Sequence, residues 1–439
     1  MSQTLKAIRG TRDLLPPETA LWNRIEATAR SVFACYNFGE IRTPVFEDTA
    51  LFARGVGEET DIVSKEMYTW EDRARAQSEK SQSLTLRPEN TAGVVRAYIE
   101  HKLGESGLLQ KLYYIGPQFR RERPQKGRYR QFWQIGAEVI GPPSAGSESP
   151  LRDAEVLEML ASFLDELGIS GWTLVLNSVG SATDRPRYVA ALREALAPVK
   201  DQMSADNQRR AETNPLRVLD SKDPADEAII ATLPKIADYL DDASKAHFAA
   251  VLAALDACGV KYEINPRLVR GLDYYTRTTF EFTHGGLGAQ NALLGGGRYD
   301  GLSEMLGGPK APGIGFAMGL DRLILTLQNR QAEEAPGDSQ LALADAFIAP
   351  LGEGLNAAAL ELARELRRQD GSRAGLRIEL GDGGFRLKKS FEIGNKLARN
   401  IILLGEDEHA SGILTVKSFA TGEQTKIPRD QLATALKNS

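Results

Sequence analysis

The hydrophobic positions in the first two thirds of the chain alternate between a helical period and a period of two. The first period predicts amphipathic helices, and the second predicts strands with one buried face. The elements predicted in this way are a helix over 19–36, strands over 39–46 and 83–86, a helix over 90–103, two long strands within 110–140 and a helix over 153–167. The two long strands flank a polar loop that contains glycine, which indicates a hairpin.

The pattern then becomes almost wholly helical over 185–258, with interruptions at prolines. Strands resume after it over 260–264, 278–283 and 313–318. We therefore interpret residues 182–258, approximately, as a helical insertion into a mixed α/β arrangement. The segment 331–340 (QAEEAPGDSQ) has no apolar period and contains a Pro-Gly pair, as expected for a linker. Beyond it, alternating strands and helices predict a small layered α/β domain.

These patterns predict a domain over 1–330 that carries the insertion, a linker over 331–342 and an α/β domain over 343–439. The length of 439 residues agrees with this division, because it exceeds what one hydrophobic core usually supports. Hydrophobic residues make up 42% and charged residues 26%, which is ordinary for a globular protein. The formal net charge of −5 means that any contact with RNA must use local basic patches.

The sequence indicates a cytoplasmic protein. The N-terminal segment lacks the apolar centre of a signal peptide, and no apolar run is long enough to span a membrane. Cys35 and Cys258 lie within apolar helical patterns, which predicts buried thiols in a reducing compartment. The four histidines are scattered singly without metal-ligand spacing, so no metal site is predicted.

The predicted hairpin has one polar and one apolar face. A period of two places on the polar face Tyr114, Gly116, Gln118, Arg120 and Glu122 of one strand and Phe132, Gln134, Gly136 and Glu138 of the other. A guanidinium at Arg120 could hold a phosphate or carboxylate through paired hydrogen bonds. Any half-exposed hairpin shows the same alternation, so the pattern alone leaves a binding face and a solvated face equally open.

The loop between the two strands, 121–130 (RERPQKGRYR), is strongly basic and contains a single glutamate. Such a cluster attracts a polyphosphate or an RNA end, although many basic loops are only solvated. Because this loop adjoins the polar hairpin face, we favour the binding interpretation.

Several segments carry a resemblance to one family. YYIGPQFRRE, with the loop and QFWQIGAEVIG after it, resembles the second motif of class II aminoacyl-tRNA synthetases in its histidyl form. RGLDYYTRTTFEF (270–282) and GGGRYDGL (295–302) resemble the two signatures specific to histidyl enzymes. GIGFAMGLDRL (313–323) resembles the third class II motif, and the region from the first helix to Pro44 resembles the first. The resemblance covers essentially the whole chain.

This resemblance implies an α+β fold: a six- to seven-stranded antiparallel class II catalytic sheet flanked by helices, a helical insertion and a C-terminal α/β anticodon-binding domain. It also implies a homodimer built through the first motif. In the family, the carboxylate of L-histidine attacks the α-phosphate of ATP, and the histidyl group then passes to the 3′ end of tRNA(His). Mg²⁺ is implied together with ATP.

The resemblance also assigns residues. The implied catalytic residues are Arg120 and Arg270, whose guanidiniums would stabilise charge on the α-phosphate. The implied ATP-binding residues are Arg120, Glu122, Phe132 and Arg322. The implied histidine-binding residues are Glu89, Asn90, Thr91, Arg120, Gln134, Glu138, Arg270, Tyr274 and Tyr275. Arg123 and Gln125 are candidate contacts for the tRNA acceptor end.

Structural interpretations of the same residues stay open. Glu89 is also a favourable charge at a helix start, and Arg322 could form a simple salt bridge there. Glu122 and Phe132 could be packing residues, and the glycines at 295–297 could form a turn between a strand and a helix. Two departures from the family pattern, Asn90 and Trp133, remove no reacting group, and we expect Trp133 to alter packing on the apolar face.

Two other functions compete with the synthetase interpretation. A catalytically silent paralogue, such as the regulatory subunit of ATP phosphoribosyltransferase, resembles the catalytic domain. However, that subunit lacks the anticodon-binding domain and departs from the paired arginines, which correspond here to Arg120 and Arg270. An RNA-binding module without catalysis would leave the amino-acid and ATP pockets unexplained.

Overall fold

The computed structural model describes residues 4–57, 60–72, 81–125, 127–221, 223–269, 274–287, 291–334, 343–368 and 375–437, with the backbone alone over 329–334. The chain divides into two compact units, Met1–Gly337 and Asp338–Ser439. Each unit has its own sheet and its own hydrophobic core.

A mixed sheet forms the centre of the first unit. The strands of this unit are β1 (Gly39–Glu40), β2 (Phe46–Asp48), β3 (Tyr68–Asp72), β4 (Gln82–Leu86), β5 (Gln110–Phe119), β6 (Gln131–Ile140), β7 (Trp172–Ser178), β8 (Tyr262–Ile264), β9 (Thr276–His284), β10 (Ala292–Arg298) and β11 (Gly313–Gly319). The large sheet has the order β1-β5-β6-β11-β10-β9-β7-β8, and β2-β4-β3 form a smaller antiparallel sheet.

The six central strands of the large sheet, from β5 to β7, pair antiparallel. The short edge strands β1 and β8 pair in parallel with their neighbours. The predicted antiparallel sheet flanked by helices is thus confirmed at its centre. The two edge strands make the described sheet wider than predicted.

Helices cover the apolar face of the large sheet. The helices of the first unit are α1 (Glu18–Cys35), α2 (Thr49–Val56), α3 (Thr91–Glu100), α4 (Pro150–Glu166), α5 (Asp184–Leu196), α6 (Ala205–Thr213), α7 (Glu227–Ile230), α8 (Asp242–Cys258), α9 (Leu302–Met305) and α10 (Leu320–Glu334). α1 buries Trp22, Ile25, Ala29 and Phe33 at helical spacing. These residues join the apolar face of β6 and β11 in one core, where each large side chain contributes about 1.5–3 kcal/mol.

The predicted helical insertion lies between β7 and β8 and consists of α5 to α8. It has a separate apolar cluster that includes Tyr188, Leu192 and Val218. Asp184 at the start of α5 accepts hydrogen bonds from the Ser181 and Ser244 hydroxyls, and Ser244 lies in the first turn of α8. Burial opposes the charged form, but these hydrogen bonds hold the pKa of Asp184 below its usual range. The carboxylate therefore ties the start of the first helix of the insertion to the start of its last helix.

The second unit has a five-stranded mixed sheet with the order β13-β12-β14-β15-β16. Its strands are β12 (Ala344–Pro350), β13 (Ile378–Leu380), β14 (Ala398–Leu404), β15 (Ile413–Ser418) and β16 (Gln424–Pro428). Its helices are α11 (Asn356–Arg367), α12 (Leu387–Leu397), α13 (Glu406–Ser411) and α14 (Leu432–Lys437). The predicted layered α/β architecture is confirmed, and β15 and β16 form a hairpin that turns at Gly422, which has a φ of 75°.

The prediction of buried thiols is wrong. Cys35 and Cys258 are exposed, and each is the last residue of its helix, α1 or α8. The apolar period continues into the last turn, but Tyr36 and Gly259 then end the helices. Gly259 has a left-handed conformation, which commonly ends a helix.

Two predicted segments also differ from the structure. The strand predicted over 39–46 is two short strands, β1 and β2, which belong to different sheets. Pro44 lies between them and lacks the N–H that a continuous ladder requires. The predicted linker 331–342 begins as helix, because α10 continues to Glu334. The rest of that segment lies outside the described residues.

Candidate functional site

The polar face of the hairpin is buried inside the first unit. Residues opposite one another in an antiparallel pair project to the same face of a sheet. The pairs across β5, β6 and β11 are Gly116 with Gln134, Gln118 with Phe132, and Glu138 with Gly315. The exposed fraction is 0% for Gln118, 8% for Gln134 and 0% for Glu138. These polar side chains therefore face a protein interior and a cavity.

A cavity of about 570 Å³ opens on this face. It is lined by all four residues predicted to bind ATP, which are Arg120, Glu122, Phe132 and Arg322, and by Gln134. Arg322 comes from α10, far along the chain from the hairpin. The fold therefore brings two of the sequence motifs to one site. Other lining residues, which the sequence analysis did not single out, include Arg128, Tyr129, Arg210, Asp220, Glu281 and Asp321.

Arg120 is held in a fixed direction. Its Nε donates to the carbonyl oxygen of Pro88 at 2.9 Å, and its guanidinium carbon lies 5.3 Å from the centre of the Phe132 ring. Nη1 lies 3.9 Å from Oε1 of Glu122, whose other oxygen accepts from Arg128 at 3.2 Å. Glu122 thus balances two arginines at the cavity wall.

Arg322 is anchored by the glycine-rich strand. Its Nη1 donates to the carbonyl oxygen of Ala292 in β10 at 2.7 Å. The adjacent Asp321 accepts from Nη2 of Arg12 at 2.8 Å, so the N-terminal segment reaches the start of α10. Burial raises the pKa of Asp321, and the Arg12 guanidinium opposes that rise. Asp321 thus forms a salt bridge at the start of α10, and Arg322 beside it donates to a backbone oxygen of β10.

Glu138 forms an acidic slot beside this cavity. Its Oε1 accepts from the Thr91 hydroxyl at 2.7 Å, and its Oε2 accepts from the Tyr299 hydroxyl at 2.6 Å. Burial raises the pKa of Glu138 to about 8, although the two hydroxyls lower it. Tyr299 was not among the predicted site residues. Its signal was its place in GGGRYDGL, immediately after the glycines and an arginine.

Glu89 caps the start of α3. Its two oxygens accept from the backbone N–H groups of Thr91 at 2.8 Å and Ala92 at 3.0 Å. The carboxylate is 5% exposed, and burial raises its pKa. These contacts match the helix-start interpretation, and the role of Glu89 in binding an ammonium stays a prediction.

Several buried polar atoms of the hairpin face and of Asn90 have no hydrogen-bond partner within the described part of the chain. They are Nδ2 of Asn90, Oε1 of Gln134, the Tyr114 hydroxyl and both amide atoms of Gln118. An unpaired buried polar atom costs about 1–3 kcal/mol, which a polar ligand can offset. Asn90 and Gln134 are both predicted histidine-binding residues. The other atom of the Asn90 amide, Oδ1, accepts from Thr43 at 2.5 Å.

Tyr274 and Tyr275 form a buried aromatic wall. Their ring centres lie 4.8 Å apart, and the Tyr274 ring lies 5.9 Å from that of Tyr299. All three tyrosines belong to one buried cluster. Because Tyr299 also donates to Glu138, the wall and the acidic slot are parts of one arrangement.

Glycines leave the space that these side chains occupy. A Cβ on Gly315 would lie 1.7 Å from Oε2 of Glu138, and a Cβ on Gly297 would lie 2.8 Å from the Tyr275 ring. Gly297 is in β10 and pairs with Gly315. The alternative of a turn at 295–297 is therefore wrong, because these glycines lie inside a central strand.

Three of the predicted site residues are not among those that line the cavity or the slot in the described structure. Arg270 lies outside the described residues. Arg123 and Gln125 are exposed in the basic loop, where the backbones of Gln125 and Arg128 pair across its tip. Trp133 lies on the apolar face as expected, with its ring centre 6.3 Å from that of Trp22.

Comparison with known proteins gives a consistent match. A family model described as histidyl-tRNA synthetase matches residues 10–323, and an anticodon binding domain model matches residues 345–439. The histidine–tRNA ligase of Koribacter versatilis (strain Ellin345) is 70% identical over 99% of this chain and 96% of that protein. The histidine–tRNA ligase of Solibacter usitatus (strain Ellin6076) is 54% identical over 98% and 99%, respectively.

A solved structure is similar over the same length. The crystal structure of apo S. aureus histidyl-tRNA synthetase superposes with a TM-score of 0.78 at 37% identity. The match covers 99% of this chain and 100% of that one. Both the catalytic sheet and the second unit therefore have counterparts in one solved chain.

Proposed function

The chain belongs to the histidyl-tRNA synthetase family, and we propose that it activates L-histidine with ATP and transfers the histidyl group to the 3′ end of tRNA(His). It is an ATP-dependent aminoacyl-tRNA ligase. One observation carries the proposal: a single cavity joins Arg120, Phe132 and Arg322, and the acidic slot of Glu138 lies on the same face of the sheet.

The first step needs positive charge at the α-phosphate. A histidine carboxylate oxygen attacks the α-phosphorus, the bond to the bridging oxygen breaks, and pyrophosphate leaves with that electron pair. Arg120, anchored at Nε, and Arg270 would stabilise the negative charge that develops. Phe132 would stack on adenine, Glu122 would contact its edge, and Arg322 would hold the γ-phosphate. In the second step a terminal ribose hydroxyl of tRNA(His) attacks the acyl carbon, and AMP leaves.

The acidic slot would select the imidazole. Glu138 is hydrogen-bonded by two hydroxyls and keeps acceptor capacity for one ring N–H, and Tyr275 would contact the other ring nitrogen. An analogue without that N–H would leave Glu138 poorly paired. The orphan Oε1 of Gln134, with Glu89 and Thr91, would receive the ammonium group, and Asn90 would border the same histidine pocket. Tyr274 would complete the wall of the pocket.

Mg²⁺ would accompany ATP. No group of three metal-ligating side chains occurs among the described residues. Mg²⁺ bound with ATP is usually held largely by the phosphates and by one or two carboxylates. Glu281 lines the cavity and would supply such a carboxylate. The ion would neutralise phosphate charge, and the chain's own arginines would orient the nucleotide.

The remaining parts of the proposal concern partners and organisation. Arg123 and Gln125 would contact the acceptor end, and the α/β domain over 343–439 would bind the anticodon, joined by the linker 331–342 to the catalytic domain 1–330. None of the described helices combines the length and the apolar character needed to cross a membrane. We place the enzyme in the cytoplasm, where its tRNA substrate is charged.

A homodimer is part of the same proposal. Val45, Phe46 and Trp70 are 38%, 53% and 40% exposed on or beside the small β2-β4-β3 sheet, and the Phe46 and Trp70 rings lie 6.1 Å apart. Apolar residues that cluster at a surface indicate an interaction site. Val45 and Phe46 directly follow the region that resembles the first motif, which supports a second copy as the partner.

The decisive experiment is ATP–pyrophosphate exchange with the purified full-length chain. We expect exchange that requires L-histidine, followed by charging of tRNA(His). A chain that binds histidine but catalyses no exchange would instead be the regulatory paralogue. A chain that binds RNA without either activity would be a binding module.

A further inference from the structure

The helical insertion reaches the nucleotide cavity. Arg210 in α6 and Asp220, which follows α6, line the cavity together with Arg120 and Arg322. The proposed reaction gives the insertion no task in histidine activation. A cationic side chain at the wall of a cavity for a triphosphate nevertheless has an evident chemical use.

Among the described residues, Arg210 contacts Asp206 and Asn207 of its own helix, and a stronger anion could replace its ion pair with Asp206. One of its Nη atoms lies 2.9 Å from Oδ2 of Asp206, and the other donates to Oδ1 of Asn207 at 3.3 Å. Asp206 is 51% exposed, and an exposed ion pair within one helix contributes little. Exchange of this pair for a phosphate therefore carries a small penalty.

The backbone that carries Arg210 is fixed from within the insertion. Asn207 is buried, and its Nδ2 donates to Oδ2 of Asp226 at 2.5 Å. Asp226 also accepts from the backbone N–H of Ser204 at 2.8 Å, just before α6 begins. Burial opposes its charge, but these hydrogen bonds lower the pKa of Asp226, which keeps the carboxylate ionised.

The insertion is also tied to the catalytic sheet beside the cavity. Arg217 forms an ion pair with Asp61 at 3.3 Å. The segment that begins at Asp61 ends at Glu66, whose carbonyl oxygen accepts from the backbone N–H of Arg121 at 2.7 Å. Arg121 opens the basic loop next to Arg120. Contacts therefore run from the insertion to the loop that borders the cavity.

We propose that Arg210 is a further substrate-binding residue that contacts the triphosphate of ATP, so that the helical insertion takes part in histidine activation. The inference rests on the proposed function, because that function places ATP in this cavity. Arg120 and Arg128 share the carboxylate of Glu122, so part of their charge is already balanced. Arg210 adds a cation from a separate element on the same cavity.

The chain offers a matched control for the test. Arg209 is the neighbouring residue of α6 and also pairs with Asp206, at 2.6 Å, but its side chain is 63% exposed. Arg209→Gln and Arg210→Gln each remove one charge and one ion pair to the same carboxylate. Titration calorimetry with the full-length chain, without histidine, would measure the affinities for ATP and for adenosine.

We expect Arg210→Gln to weaken ATP binding about tenfold, because the variant loses one charge-assisted hydrogen bond. Adenosine binding should be unchanged. Arg209→Gln should match the wild type, and Arg210→Lys should recover part of the affinity for ATP. In the exchange assay the KM for ATP should rise with that for histidine unchanged.

Three outcomes would overturn the assignment. Equal weakening of ATP and adenosine would show that Arg210 only supports the fold. Unchanged ATP affinity would show that Arg210 does not contact ATP. A loss confined to tRNA charging would show that Arg210 contacts the tRNA instead. The calorimetric result is independent of catalysis, so a wild-type chain without exchange would refute the proposed function and still leave the Arg210 contact measurable.

Discussion

The acidic slot and the nucleotide cavity lie on one face of the same sheet, yet they are built differently. Glu138 in the slot is 0% exposed, and each of its two oxygens accepts a hydrogen bond from one hydroxyl group. In the cavity, Arg120 and Arg322 are partly exposed and are anchored by backbone carbonyls. One region is fully buried around a single carboxylate, and the other is partly exposed and lined by several charged side chains.

This difference indicates a division of work. In a desolvated slot one unmade hydrogen bond is expensive, so the slot can discriminate between side chains. In a hydrated cavity each charge is screened, so affinity must come from several cations acting together. The comparison predicts that single substitutions will have larger effects in the slot than in the cavity.

The largest effect is expected from Glu138→Gln. Above pH 8, where Glu138 is ionised, the amide cannot replace a carboxylate that accepts from both hydroxyls and an imidazole N–H, so kcat/KM for histidine in the exchange assay should fall about 10³-fold. The affinity for ATP should be unchanged. Glu148→Gln, which alters an exposed carboxylate paired with Lys310, is the control. A fall below tenfold would remove Glu138 from the specificity site.

A smaller effect is expected from Arg120→Ala. Loss of one of two groups that stabilise charge on the α-phosphate should lower kcat for exchange about 10²-fold. The control is Arg121→Ala, which removes an exposed neighbour whose backbone N–H keeps its bond to Glu66. If both variants behave alike, the effect of Arg120 is one of general charge and not of position.

The fold was predictable wherever side chains show a period. The hairpin β5–β6 and the helices α1 and α4 have apolar faces that the sequence displays directly. β10 was missed because three of its residues are glycines, which display no face. Its pairing depends on close approach: a Cβ on Gly296 would lie 2.1 Å from the carbonyl oxygen of Gly315. That contact exists only in the folded sheet.

The site was predictable where a motif marks it. Arg120, Phe132 and Arg322 were named from motif resemblance, and the fold places them on one cavity. Tyr299 and Arg210 were not named. Tyr299 is tied to the slot by a hydrogen bond to a strand distant in sequence, and Arg210 lies on a helix whose polar pattern resembles any solvated face. Only the tertiary arrangement distinguishes them.

A more modest effect is expected from Gly297→Ala, which tests whether the slot needs its glycine floor. The new Cβ would lie 2.7 Å from the backbone oxygen of Thr278 and 2.8 Å from the Tyr275 ring, so strand and ring must both shift and the KM for histidine should rise about tenfold. Gly301→Ala adds a methyl where nothing lies within 4 Å and serves as the control. A KM for histidine that stays at the wild-type value would show that the Tyr275 ring does not shape the pocket.

The smallest effect concerns stability, and it separates the buried slot from the partly exposed cavity through pH. Burial raises the pKa of Glu138 to about 8, so between its ordinary value and that pH the unfolded chain loses a proton that the folded chain keeps. Rising pH therefore opposes folding across this window, and the wild type loses stability. Glu138→Gln removes this titratable group. The free energy of unfolding of the variant, relative to that of the wild type, should therefore increase by at least about 1 kcal/mol from pH 5 to pH 8. Urea titrations at each pH would measure that difference. A difference that stays constant with pH would mean that Glu138 is ionised throughout and that the slot is more hydrated than its burial implies.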